Sequence, residues 1–129
     1  MRISEEMYQR LANKQVYLPK ESKYKNKKVI YDGIEFDSQK EGNYYLKYKT
    51  MQDLGIIKDL KIQPVYELQP SFKLNGKTYQ KITYRADFSY VSVEDNKIHI
   101  IDVKGFKTDI YKLKKKLMAY KYKLEIEEV

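Results

Sequence analysis

Asp102-Val103-Lys104 closes the apolar run Ile98-His99-Ile100-Ile101. In an extended chain alternate residues share a face, so Asp102 and Lys104 point one way and Val103 the other. A carboxylate and an ammonium taken into a buried strand end cost free energy unless something pairs with them. A divalent cation and a phosphate would satisfy both groups at once. A second carboxylate, Asp87, stands upstream in Tyr84-Arg85-Ala86-Asp87. With a turn at Glu94-Asp95-Asn96, paired positions sum to about 190, which sets Asp87 opposite Asp102 or Val103. Facing strands lie ~5 Å apart. That spacing suits one shared Mg²⁺ or Mn²⁺, which binds through a few carboxylates and keeps several waters. The main-chain carbonyl of Val103 offers a further oxygen. Lys104, beside such an ion, could orient an attacking water, lower its pKa or stabilise charge building on a phosphate. The set fits metal-dependent cleavage of nucleic acid.

Composition narrows the options. The chain of 129 residues has length for one domain with a modest core. It contains no cysteine and a single histidine, His99. A disulfide framework, a thiolate-held zinc or iron–sulfur site and a His-rich metal site are thereby excluded within one chain. Any metal must be held by oxygens, which favours Mg²⁺, Mn²⁺ or Ca²⁺. The formal charge is +8, a field that attracts polyanions, although a lysine-rich surface on any soluble protein would give the same number. No apolar stretch approaches the ~20 residues of a membrane span, and the N-terminus lacks the apolar core of a signal peptide. The expected location is the cytoplasm.

The elements that must position these residues follow from spacing. Ser4-Glu5-Glu6 opens a short helix to about Asn13, with Met7, Tyr8, Leu11 and Ala12 at helical intervals. Residues 14–28 form a basic stretch with Tyr17 and Tyr24 interspersed, either a solvated linker or an arm on a phosphate backbone. Asp32-Gly33 between apolar residues signals a hairpin over Val29–Phe36. Ser38 then opens a helix, Glu41 completes a capping box, the helix carries Tyr44, Tyr45, Tyr48, Met51 and Leu54, and Gly55 stops it. A strand over Lys61–Leu68 carries Pro64, which argues for an edge or a strand start. A second hairpin turns at Asn75-Gly76, and one long strand runs from Ile82 to Val93 and returns antiparallel over Lys97–Lys104. Thr108 or Asp109 caps a last helix to about Tyr120, with Ile110, Leu113, Leu117 and Ala119 or Tyr120 as its apolar side. Lys123–Glu127 is a closing strand. The order predicts a single α/β (α+β) domain with a mixed central sheet flanked by helices.

Glu41 is the third candidate acid, able to bind the metal, hold a metal-bound water, or only cap its helix. Asp87, then Asp102-Val103-Lys104, with Glu41 on a preceding helix, resembles the PD-(D/E)XK nuclease superfamily. The likeness extends to Asp32–Glu41, Ile62-Gln63-Pro64, Tyr84–Phe88 and Asp102–Gly105. These segments look like a group of small phage and prophage proteins similar to phage-type Holliday junction resolvases and to transposon end-cleaving nucleases. The resemblance covers about residues 24–129. It implies a restriction-endonuclease-like core over 29–129, preceded by an N-terminal helix and basic arm over 1–28. It implies that Glu41, Asp87 and Asp102 hold Mg²⁺ or Mn²⁺ and that Lys104 assists hydrolysis. Arg85-Ala86-Asp87 stands where the literal motif has Pro-Asp. Lys112, Lys114, Lys115 and Lys116 could contact DNA or form a solvated helix face. Gln63 could face the site or be ordinary strand polarity. His99 has the opposite parity to Asp102 and is read as structural.

The expected activity is a structure-selective DNA endonuclease acting on branched or junction DNA. Symmetric cutting of a four-way junction needs two sites, so a homodimer is expected. If phage or prophage encoded, its place is the cytoplasm of a bacterial host. The alternatives are a non-catalytic nucleic-acid-binding module on a nuclease fold, and a nuclease of other specificity (nicking, transposon-end or RNA).

Overall fold

The computed structural model describes residues 27–129. The N-terminal helix and most of the basic arm expected from the sequence lie outside the described residues. The chain divides into two compact units, Met1–Gly42 and Asn43–Val129.

In the first unit, β1 (Val29–Tyr31) and β2 (Ile34–Phe36) form the expected hairpin. Asp32 and Gly33 take φ of 52° and 77°, the paired left-handed conformation that a two-residue turn of this hand requires. Ser38 then caps α1 (Gln39–Asp53), its Oγ accepting the Glu41 backbone N–H at 3.0 Å. The hairpin lies hard against the first turn of α1. A Cβ built on Gly42 would meet Val29 Cγ2 at 2.6 Å and the Tyr31 ring at 2.7 Å.

In the second unit, the rest of α1 buries Tyr45 and Tyr48. The Tyr48 ring packs 5.3 Å from Phe88 and 5.2 Å from Tyr90. The helix ends at Gly55 (φ 78°), where Gly55 N–H bonds Gln52 O and Ile56 N–H bonds Met51 O. This pair of bonds satisfies two carbonyls that the helix end leaves open. A four-stranded sheet follows in the order β10 (Ile126–Glu128), β9 (Ile98–Asp102), β8 (Phe88–Ser92), β3 (Ile57–Ile62). β9 runs antiparallel to β8 and parallel to β10, so the sheet is mixed. α2 (Asp109–Tyr122) makes the crossover between the parallel pair. Phe88 and Tyr90 face α1. Ile100, of opposite parity, joins Tyr84, Ala86, Ile126 and the α2 residues Tyr111 and Met118 in a core on the other face. The domain is α+β with a mixed central sheet flanked by two helices, as a restriction-endonuclease-like core requires. Among the described residues no helix is long and apolar enough to cross a membrane.

Three expectations need correction. The strand expected over Lys61–Leu68 is two strands, β3 and β4 (Val65–Gln69). The long strand Ile82–Val93 is likewise β7 (Ile82–Arg85) and β8. The breaks meet: Gln63 N–H bonds Asp87 O at 2.9 Å, and Ala86 N–H bonds Pro64 O at 3.0 Å. Gln63 sits at φ 53°, which turns the chain out of the central sheet. Both strands leave together, so β3 and β8 pair in the central sheet while β4 and β7 pair separately. Asp87 therefore sits at a break, not in mid-strand. The third correction concerns α2, where Thr108 is the cap. The helix buries Tyr111 and Met118 and exposes Ile110, Leu113 and Tyr120. Apolar spacing alone favoured the second set, but the sheet face offers the aromatic and Ile100 surface that Tyr111 and Met118 complete.

Gly42→Ala should lower stability although alanine is the better helix former by about 1 kcal/mol. The added methyl must displace Val29 and Tyr31, and such overpacking costs about 1–3 kcal/mol. Thermal unfolding reads the difference. A raised Tm would show that the hairpin yields freely.

Candidate active site

β8 and β9 pair with Phe88 opposite Ile101, which continues to Asp87 opposite Asp102, one of the two positions expected. The ladder frays there. Asp87 N–H bonds Ile101 O at 3.1 Å, and the Asp87 Oδ2 takes the backbone N–H of Val103 at 2.7 Å. The half-buried Asp87 side chain thus stands in for a missing strand partner. β9 ends at Asp102, so Val103 and Lys104 lie just beyond the strand. Lys104 N–H bonds Val129 O at 3.2 Å and Val129 N–H bonds Asp102 O at 3.0 Å, which holds the triplet extended.

Asp102 is 3% exposed. Its Oδ2 accepts the Tyr84 hydroxyl and its Oδ1 lies 3.3 Å from Lys104 Nζ. Lys104 Nζ also stands 4.0 Å from the Tyr111 ring centre, within cation–π range. Burial, then the hydrogen bond to Asp102, pushes the Tyr84 phenol well above its usual pKa, so it stays a donor. Tyr111 is raised by burial first and then by its bond to Glu128. Asp87 and Asp102 both act on both phenols, so the four side chains share one neighbourhood.

The parallel pairing adds a residue that sequence reading missed. Glu128 on β10 lies beside Asp102. Asp87, Asp102 and Glu128 thus form a row across three strands. Glu128 is neutralised on its own side, by Lys107 at 2.8 Å, Lys115 at 2.9 Å and the Tyr111 hydroxyl at 2.7 Å. Its pKa falls to about 2, through Lys107 first, then Tyr111 and Lys115. Tyr84, Tyr111 and Lys107 were also missed. Strand alternation gives no signal for Tyr84, because the break after Arg85 resets the parity.

The other expected residues are placed as follows. Glu41 is buried in the first turn of α1, in the first unit, with its N–H on Ser38 Oγ. Lys115 is committed to Glu128, Lys112 and Lys116 are exposed, and Lys114 is half-buried. His99 lies on the α1 face, stacked on Tyr90 at 5.2 Å and held by Glu127 at 2.6 Å and Asp95 at 3.2 Å. Gln63 contributes its backbone to the break beside Asp87.

Among the described residues, no three His, Asp or Glu side chains are drawn together as a ready metal cage. The local donor set is two carboxylates on adjacent strands and the Val103 carbonyl. These are hard oxygen donors, which suit Mg²⁺ or Mn²⁺ better than zinc.

Residues 21–127 match the family described as proteins of unknown function (DUF1064), and the chain belongs to that family. No curated protein and no solved structure matches the chain.

The depressed Glu128 gives a signed pH expectation. Its stabilisation is fully present above the ordinary carboxylate pKa of 4.5 and is lost as pH falls through about 2. Glu128→Gln should therefore be clearly less stable than the parent at pH 6. That gap should close progressively as the pH is lowered from about 4.5 toward 2. Urea unfolding of both proteins across this range checks it, and a gap independent of pH would overturn the assignment.

Proposed function

We propose that this member of the DUF1064 family is a Mg²⁺- or Mn²⁺-dependent DNA endonuclease that acts on branched DNA in the manner of a junction resolvase. The observation that carries the reading is the facing pair Asp87 and Asp102, with Lys104 on Asp102, at the end of a buried strand. Asp87, Asp102 and the Val103 carbonyl would hold the metal, and the role of Glu41 rests on the superfamily resemblance alone. The bound cation would supply Lewis-acid stabilisation of the phosphate and a more acidic water.

The chain's own residues do the rest. Tyr84 fixes one oxygen of Asp102 and leaves the other toward Lys104. Lys104 keeps part of its side chain, 24%, open to solvent, so its ammonium can meet a phosphate oxygen. There it stabilises the charge that grows as the phosphodiester opens. The Tyr111 ring beneath it steadies the ammonium without consuming its hydrogen bonds. Cutting both strands of a junction calls for two such sites, hence a homodimer.

A second reading has its own support. Lys104 already neutralises Asp102, and no carboxylate triad is preassembled among the described residues. A DNA-binding module without cleavage would keep the same ion pair as structure.

Nicking of a labelled four-way junction in Mg²⁺ separates the two. Under the first reading Asp102→Ala and Lys104→Ala each lower the cleavage rate by roughly 100-fold or more, while junction binding in Ca²⁺ stays within a few-fold. Cleavage unaffected by Asp102→Ala sinks the mechanism. Binding with no cleavage in Mg²⁺ or Mn²⁺ selects the second reading. Cleavage confined to linear DNA or RNA keeps the chemistry and rejects the junction substrate.

A further inference from the structure

The β5–β6 hairpin takes no part in the site described above. β5 (Phe72–Leu74) and β6 (Lys77–Tyr79) form a two-stranded sheet of their own, turning at Asn75 (φ 51°) and Gly76 (φ 75°). All residues of both strands are exposed. An isolated two-stranded hairpin is only marginally stable in water. This one is held by a cross-strand pair: the Phe72 and Tyr79 rings lie parallel, 4.9 Å apart with 9° between their planes. Phe72 and Tyr79 nevertheless remain 43% and 40% exposed, and Leu74, on the same face, 57%.

Charge says what such a surface meets. From Leu68 to Ala86 the chain has no Asp or Glu but carries Lys73, Lys77, Lys81 and Arg85. None of the three lysines has an acidic partner among the described residues. Lys77 Nζ stands 5.7 Å from the Tyr79 ring centre, at the edge of the apolar face. Lys73 pairs with Thr78 on the opposite face, so cations border the ribbon on both sides. A second copy of this chain would bring like charges together here, which disfavours a protein partner of the same kind. A polyanion with apolar surface between its charges satisfies both features. A two-stranded ribbon is also an element the major groove of B-form DNA admits.

We propose that the hairpin 72–79 is a DNA-grip element that enters the major groove, its lysines on flanking phosphates and its Phe72–Tyr79 edge on the bases. The proposal shares with the proposed function only that the partner is DNA, and it does not require cleavage.

Its test is binding of fluorescein-labelled duplex DNA by the full chain in EDTA, followed by anisotropy over a range of salt. The variants are Lys73→Ala/Lys77→Ala/Lys81→Ala and Phe72→Ala/Tyr79→Ala. The lysine variant should bind more weakly, with the salt slope reduced by about 0.9 for each phosphate left without its lysine. The aromatic variant should lose affinity on the order of 10-fold with the slope unchanged. All the substituted side chains are exposed, and an unchanged circular dichroism melt for the lysine variant keeps that arm decisive. Unchanged affinity and slope in both overturn the proposal. So does an equal loss on duplex RNA, whose major groove is too narrow to enter. So does an aromatic variant that only converts a dimer to a monomer in sedimentation. A hairpin effect with cleavage indifferent to Asp102→Ala would uphold the grip and reject the catalytic reading.

Discussion

Three acidic residues in one row across adjacent strands are the constraint around which the second unit is organised. Asp87, just before β8, lies beside Asp102 at the end of β9, and Asp102 lies beside Glu128 on β10. Like charges at strand spacing repel, and burial removes the water that would screen them. Each is answered differently. Asp87 accepts a backbone N–H from Val103. Asp102, the most buried, takes a phenol and an ammonium. Glu128 takes two lysines and a second phenol. The partners come from β7, from the segment after β9, and from α2. The acid row therefore ties together the elements that surround it. Tyr111 links two of the answers, its hydroxyl on Glu128 and its ring under Lys104.

The paired strand breaks explain how a carboxylate reaches that row. In an unbroken strand the N–H and C=O of one residue point to the same neighbouring strand, and parity alone fixes which residues share a face. The crossing bonds Gln63 N–Asp87 O and Ala86 N–Pro64 O instead let the chain change partners at this point. The cost is a left-handed Gln63, a conformation disfavoured for residues other than Gly, Asn and Asp. The gain is that Tyr84, three residues before Asp87, returns to the same neighbourhood and binds Asp102. A continuous strand would place residues three apart on opposite faces.

What could be read in advance has a physical pattern. Turns declare themselves in residue type: Asp32-Gly33, Asn75-Gly76 and Gly55 take the left-handed conformations that their types favour. Because the turn at 94–96 was legible, the β8–β9 register could be counted through it, and Asp87 opposite Asp102 followed. The parallel β9–β10 register could not be counted, because a whole helix intervenes and no turn fixes the offset. The sequence pattern therefore carries no sign that Glu128 stands beside Asp102. The strand breaks were hidden because their cause is a hydrogen bond between residues more than twenty apart, not a local breaker in both strands. On α2, Ile110, Leu113 and Leu117 have the better apolar spacing. Tyr111 and Met118 have the better surface to meet.

The same contrast governs the formal charge of +8. Charge counted along a chain says little, since paired ions contribute little field beyond their neighbourhood. In this fold several acids are drawn inward or onto a cation: Asp102 to Lys104, Glu128 to Lys107 and Lys115, Glu127 and Asp95 to His99. His99 shows the balance. Burial pushes its imidazole down, but the Glu127 and Asp95 carboxylates outweigh this and raise its pKa. With those acids engaged, the cations of the 68–86 segment and the exposed Lys112 and Lys116 stand without comparable opposition. The folded surface is therefore more sharply basic in places than the composition is on average, and it is basic where aromatic and apolar side chains are also exposed. The proposed grip on DNA rests on these two properties together, and it is independent of whether the acid row supports cleavage.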